Sequence, residues 1–376
     1  MKTNDKWNIC ISVVFLLWIF GCGIFSLIAK DRAFSEMENR YLKTVPTFHW
    51  NTLMDGSLEE DIEAYLSDQF VGKDMFMELY QAVNYSLGIH ESNDVYYGKE
   101  DTLLKKYTGD EEAVLSERAS QLKDFAASVD VPVAVSLIPG AATIWSDRLP
   151  ANAPNQNQQT VIDAFYDETG LPAIDNCEML KEHAEEYIYY HTDHHWTSLG
   201  AYYGYAAAGE VLGYTPVPLT DYDATLLSDA FKGSLYSKAP GTWVKPDEMY
   251  AYVPDDGIEV TVYDGNDYTK SQLYVTENLE KKDKYSTFLG GNQPLMIVKS
   301  NHAPAGKLLL IRDSYSDSLV PFLTAHYAEI HMLDPRYYKQ SAEAYIEENE
   351  IDSVLFCFGL EQFEECDGLR LVLKQE

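Results

Sequence analysis

Residues 307–323 read "KLLLIRDSYSDSLVPFL", and the change of pattern inside them decides the fold. Lys307 opens a short apolar run of the kind buried on both faces of a parallel sheet, and the run ends at about Arg312. Asp313 and Ser314 follow at a turn, and a helix is expected over 317–326. A buried strand that leads into a helix is half of a βαβ unit, so the segment predicts a parallel sheet covered by helices.

The same alternation recurs on either side. Leu115, Ala119, Leu122 and Phe125 lie at helical spacing in 111–129, and "VPVAVSLIP" (131–139) follows as a buried strand. Helices are expected at 158–169, 198–212 and 339–350; strands are expected at "LPAID" (171–175), "AEIHMLD" (328–334) and "SVLFCFG" (353–359). Four or five such strands between helices predict an α/β domain with helices on both faces of the sheet. Residues 215–290 turn polar and tyrosine-rich, with alternating runs such as "IEVTVYD" (258–264), which reads as an inserted β-rich subdomain. Further back, a helix is expected at 57–84 and a hairpin at "VYYGKEDTLL" (95–104), with Gly98 at its turn.

Composition narrows the functions. The formal charge over 376 residues is −32, and Lys2, Lys6 and Asp5 give the first 29 residues +1, which leaves −33 on the remainder. That argues against nucleic acid as a partner. The 28 tyrosines suit a surface that meets neutral, sugar-like ligands through aromatic faces, although a plain solvated acidic surface explains the charge equally well. Ile9 to Ala29 carries no charge and as a helix is long enough to cross a bilayer. Its length, and the lack of a small-x-small cleavage site after it, favour an uncleaved signal anchor over a removed signal peptide. Lys2 and Lys6 before it are balanced by Lys30 and Arg32 after it, so charge alone does not orient it. Residues 30–56 are polar and aperiodic and read as a juxtamembrane stalk, which leaves 57–376 as the folded domain. Beyond the anchor only Cys177, Cys357 and Cys366 remain, too few and too scattered for a disulfide framework or a zinc ribbon.

Two stretches carry chemistry. Ligands in open parallel sheets bind at the carboxyl ends of the strands, which is where Ser314 is presented, beside a helix N-terminus that favours developing negative charge. A cap made by Asp313, Ser314 or Ser316 explains the same residues. The second stretch is "HTDHHWT" (191–197). A serine hydroxyl attacks an ester only when a histidine takes its proton, and an aspartate that fixes the histidine tautomer improves the base. Asp193 and His195 fit those two roles, with Trp196 walling the ring from water. The alternatives are a metal site built from His191, Asp193, His194 and His195, and a helix cap at Thr197 or Ser198.

"DHHW", "IRDSYS", "YYGKEDTLL", "YSTFLGGN" and "LDPRYY" together resemble the DHHW family of bacterial surface proteins, which is similar to the alginate O-acetylation proteins AlgJ and AlgX of the SGNH-hydrolase-like group. The resemblance covers roughly 30–370. It implies a three-layer α/β/α domain in which Asp193 orients, His195 is the base and Ser314 the nucleophile. It further implies Gly291 and Asn292 as oxyanion donors, against a simple hairpin turn, and Arg336 as a substrate contact, against a surface ion pair. The implied activity is acyl transfer or hydrolysis, acetyl above all, on a cell-surface glycan, outside the cytoplasm and attached to the membrane by the N-terminal helix. A membrane-bound O-acyltransferase is the implied acetyl donor; no metal or other cofactor is expected. A non-catalytic surface glycan-binding or assembly protein of the same fold is the rival expectation.

Overall fold

The computed structural model describes residues 2–109, 112–265 and 267–374. The chain divides into two compact units, one made of residues 1–89 with Pro240–Thr242 and the other of His90–Ala239 with Trp243–Glu376.

In the smaller unit the helix Lys2–Ile28 contains the apolar span Lys6–Ser26, long and apolar enough to cross a membrane or to serve as a signal sequence. Two-residue strands at Phe34–Ser35 and Arg40–Tyr41 pair antiparallel. Arg40 reaches Asp68 at 2.5 Å, and Lys73 bridges Asp68 and Glu38 at 3.1 and 2.7 Å. The Arg40 guanidinium holds the Asp68 carboxyl well below the usual carboxylate range. Residues 30–56 are therefore fastened by ion pairs to the helices that follow. The helix expected at 57–84 is broken into Ser57–Asp68 and Lys73–Ser86, because Gly72 between them adopts φ +85°.

The larger unit is built on seven strands: β1 (Val133–Ile138), β2 (Ile258–Asp264), β3 (Asp267–Ser271), β4 (Leu295–Ser300), β5 (Lys307–Arg312), β6 (Glu329–Leu333) and β7 (Ser353–Gly359). Their order is β3-β2-β4-β6-β5-β7-β1. The pairs β5/β6, β5/β7 and β7/β1 are parallel, as the apolar runs predict. The pairs β4/β6, β4/β2 and β2/β3 are antiparallel, so the expectation of a parallel sheet is corrected to a mixed one. Of the antiparallel strands, β2 and β3 come from the region expected as an insertion, and β4 lies just beyond it. Val260 and Val262 pair with Val298 and Met296 and extend the sheet edge, while only Thr225–Phe231 and Asp247–Ala251 form a separate two-stranded sheet. "LPAID" is no strand; it contributes a single bridge, Ala173 to Val135.

Alternate residues of the central strands join different cores, which is the period-two consequence of burying both faces. Leu308 and Leu310 pack with Ala201, Tyr205 and Ala208 of the helix Ser198–Leu212. Leu309 and Ile311 pack with Leu122 and Phe125 of Glu112–Ser128, Phe165 of Gln158–Thr169 and Ile346 of Ala342–Asn349. The hairpin Val95–Tyr97/Leu103–Lys105 forms as expected. Its left-handed residues are Glu100 and Asp101, not Gly98. Gly98 is required for another reason: a Cβ there would lie 2.8 Å from the Arg148 carbonyl oxygen.

Candidate active site

The turn that carries Ser314 begins where β5 runs out of partners. Asp313 N–H still donates to Cys357 O of β7, at 3.2 Å, and then the chain turns. The Asp313 side chain caps the 3-10 turn Ser314–Ser318 by accepting from Tyr315 N–H at 2.9 Å. Its other oxygen accepts from Gly359 N–H at the end of β7, also at 2.9 Å. The cap reading thus belongs to Asp313, and Ser314 is the first residue after it. Burial pushes the Asp313 carboxyl up to about 6, against the two backbone donors. The helix expected over 317–326 is this turn followed by the short helix Val320–Leu323.

"HTDHHWT" is the tip of a tight hairpin. Thr197 N–H donates to Ile188 O at 2.9 Å and Tyr190 N–H to His195 O at 3.2 Å. The buried Asp247 carboxylate gathers His191 N–H, Thr192 N–H and the Thr192 hydroxyl, and so shapes the loop. Thr197 also caps the helix Ser198–Leu212 by accepting from Gly200 N–H. The cap therefore belongs to Thr197, which leaves Asp193 and His195 free of that task. Trp196, fully buried, donates from its indole to Tyr315 O at 2.9 Å and ties this hairpin to the Ser314 turn.

At the junction, His195 Nε2 lies 2.8 Å from Ser314 Oγ, and His195 Nδ1 lies 2.6 Å from Asp193 Oδ1. Asp193 Oδ2 accepts from Ser234 N–H at 2.7 Å. Burial alone would raise the Asp193 carboxyl; His194, His195 and the Ser234 donor outweigh it and hold the group well below the usual range. His194 Nδ1 turns instead to Ser234 Oγ, at 2.7 Å. Its side chain is 39% exposed at the cleft, and burial with the neighbouring His195 keeps it easier to deprotonate than usual.

The ligand-capable atoms of Asp193, His194 and His195 fall within 4.8 Å of one another; His195 Nδ1 and Asp193 Oδ1 bond each other, His195 Nε2 bonds Ser314, and Asp193 Oδ2 and His194 Nδ1 bond Ser234. His191 is not part of the cluster: its ring packs edge-on against Trp145 and Tyr187, at 5.7 and 5.4 Å. The four-residue ligand set weighed from the sequence is not assembled.

Ser314 opens into a cleft of about 220 Å³, lined among others by Lys105, Gly140, Gln158, His194, Ser234 and Gly359. Gly291, Asn292, Arg336 and Trp196 do not line it. Gly291 sits in a left-handed turn with Leu289 and Gly290. Asn292 Oδ1 accepts from Arg336 Nη2 at 2.9 Å, and Arg336 is forked onto Asp334 at 2.9 and 2.6 Å. The hairpin and ion-pair readings of these residues describe their contacts. The sequence reading missed Gly140, Gln158, Ser234 and Tyr285. Gly140 was within reach of it, since it directly follows "VPVAVSLIP" at a strand's carboxyl end. Ser234 sits in the 215–290 stretch, where no spacing marks it, whereas Tyr285 opens the quoted "YSTFLGGN", from which only Gly291 and Asn292 were singled out.

A family model described as DHHW protein matches residues 85–333. A DHHW family protein from Eubacterium siraeum has a similar structure, with 24% identity over 76% of this chain and 98% of that chain and a TM-score of 0.66. PatB1 from Bacillus cereus is similar at 20% identity over 72% of this chain and 97% of that chain, with a TM-score of 0.61. The O-acetyltransferase domain of Pseudomonas putida AlgJ stands at 14% identity and a TM-score of 0.46, over 72% of this chain and 92% of that chain, too distant to carry an argument. No curated protein matches the chain. The likenesses to the Eubacterium siraeum protein and to PatB1 show a shared fold.

Proposed function

This chain belongs to the DHHW family, and from that premise we propose that it is an acyl-transferring enzyme in which Ser314 is the nucleophile, His195 the base and Asp193 the residue that orients the base. The observation that carries the reading is the unbroken line from Asp193 through both nitrogens of His195 to Ser314. In the proposed reaction the Ser314 proton passes to His195 Nε2 as Oγ bonds the acyl carbon; the imidazolium, held by Asp193, then protonates the leaving oxygen. A second hydroxyl resolves the acyl-serine by transfer, or water resolves it by hydrolysis. The fold assigned here is SGNH-hydrolase-like, an α/β/α arrangement supported by the separate cores on the two faces of the sheet.

The proposed acyl group is acetyl and the proposed acceptor a cell-surface glycan, served by a membrane-bound O-acyltransferase as donor. The span Lys6–Ser26 would hold the enzyme to the membrane with its acidic domain outside the cytoplasm. Gly291 and Asn292 as oxyanion donors and Arg336 as a substrate contact stay part of this proposal, with Asn292 Oδ1 held by Arg336 Nη2.

PatB1 has been captured with a sulfonyl adduct, which suggests the test. A sulfonyl fluoride should label Ser314 of the folded chain, and the label should disappear in Ser314→Ala and fall by orders of magnitude in His195→Ala. Labelling that survives unchanged in His195→Ala would leave a surface protein that keeps the fold without the chemistry.

A further inference from the structure

Tyr285 belongs to none of the three roles assigned above, yet it touches two of the residues that fill them. Its ring stacks face to face on the His195 imidazole, with centroids 3.8 Å apart and planes 6° from parallel. Its hydroxyl donates to the Ser314 carbonyl oxygen at 3.0 Å and meets Ser318 Oγ at 3.1 Å. We propose that Tyr285 is a positioning residue that clamps the base against the nucleophile turn and stabilises, through its ring face, the imidazolium formed when His195 takes the serine proton; this rests on the triad reading.

The ring cannot drift. Tyr190 meets it edge-on at 6.2 Å and Phe288 packs at 5.4 Å, within a core that also contains Phe231 and Met249. Burial raises the phenol well above its ordinary value, so the hydroxyl stays neutral and remains a donor. One side chain thereby fixes two things that sequence separates: the plane of the imidazole and the backbone of the serine. In the proton step the Oγ–H proton moves to Nε2, the oxygen pair forms the bond to the acyl carbon, and Nδ1–H stays bonded to Asp193. The positive charge then spreads over a ring whose face lies on the negative face of Tyr285, and attraction between a desolvated cation and an aromatic face favours that state. Other charged or titratable groups also face His195: Asp193 and His194 on its own loop, Asp313, Tyr315 and Asp317 on the nucleophile turn, and Asp283 two residues before Tyr285. A substitution at 285 that keeps the ring shape leaves all of them in place.

The test compares Tyr285→Phe, Tyr285→Leu and a chain carrying pentafluorophenylalanine at 285, each checked for an unchanged melting profile. The readout is the rate at which a sulfonyl fluoride labels Ser314 as a function of pH. The phenylalanine chain should keep the acid limb of the wild-type profile and lose severalfold in plateau rate, because only the hydroxyl's bonds to the Ser314 carbonyl and Ser318 Oγ are gone. Reversing the ring quadrupole should move the acid limb down by about one pH unit and cut the plateau about tenfold relative to phenylalanine. Tyr285→Leu should follow the fluorinated chain. Coincident profiles for the phenylalanine and pentafluorophenylalanine chains would overturn the role of the ring face. Failure of wild-type Ser314 to label, or equal labelling in His195→Ala, would instead remove the triad on which the role depends.

Discussion

His195 Nε2 stands 2.8 Å from Ser314 Oγ although 119 positions separate the two in the chain. Residues that act as one unit are not additive, because losing either member already removes the activated nucleophile. Ser314→Ala, His195→Ala and the double variant should each lose about a thousandfold or more in turnover of an acetyl ester and end at nearly the same residual rate. A double variant that multiplies the single losses would separate the two residues functionally.

His194 is the near neighbour that should matter less. Its ring lies 3.8 Å from that of His195, but its Nδ1 is committed to Ser234 Oγ and does not reach Ser314. His194→Ala should raise KM for a glycan-like ester, since the side chain lines the cleft, and lower kcat by less than about tenfold, while His195→Ala loses orders of magnitude in kcat. Steady-state kinetics on the two variants decides it; a dead His194 variant would reverse the assignment.

Gly204 is a packing prediction. A Cβ there would approach the Trp196 ring to 2.6 Å, and that indole is fully buried and anchored to Tyr315 O. Gly204→Ala should destabilise the domain by about 1–3 kcal/mol, read as a lower urea midpoint at unchanged slope. It should also lower activity, because Trp196 joins the two loops that carry His195 and Ser314.

Asp313 makes stability depend on pH in a defined direction. Its carboxyl titrates at about 6 in the folded chain, above the ordinary carboxylate value, so the folded state holds the proton more tightly than the unfolded one. Its contribution is fully present below about pH 4 and is lost as pH rises through about 6. Asp313→Asn puts an amide donor against one of the two backbone N–H groups and should destabilise the domain by about 1–3 kcal/mol. It should also flatten the fall in stability between about pH 4 and 6, which denaturant melts across that range would show. An equal slope in variant and wild type would exclude Asp313 as its source.

The membrane arrangement is tested on whole cells. Protease added outside intact cells should digest the domain that follows the span Lys6–Ser26. Protection that is lost on lysis would place that domain inside.

The parallel strands at 133–138, 307–312, 329–333 and 353–359 were legible in the sequence because burial on both faces demands near-continuous apolar runs. So was Asp193 with His195, because two residues on one tight loop meet their chemistry locally. The antiparallel edge was not legible: "IEVTVYD" alternates whether it pairs in a small insertion or on the main sheet, and only Val260 and Val262 opposite Val298 and Met296 choose between them. Gly291 and Asn292 drew notice for a motif that tertiary structure spends on a turn and on Arg336. Ser234 was invisible, and Tyr285, though it opens the same quoted motif, was given no role, for the complementary reason. Their importance is a matter of which side chain arrives at His195 and Asp193 from another element, and no local period encodes such an arrival. Local sequence determined which segments are strands and which residues can bear a proton. Long-range packing alone decided that Ser314 and His195 share one edge of the sheet, since the contact exists only after both cores close around it.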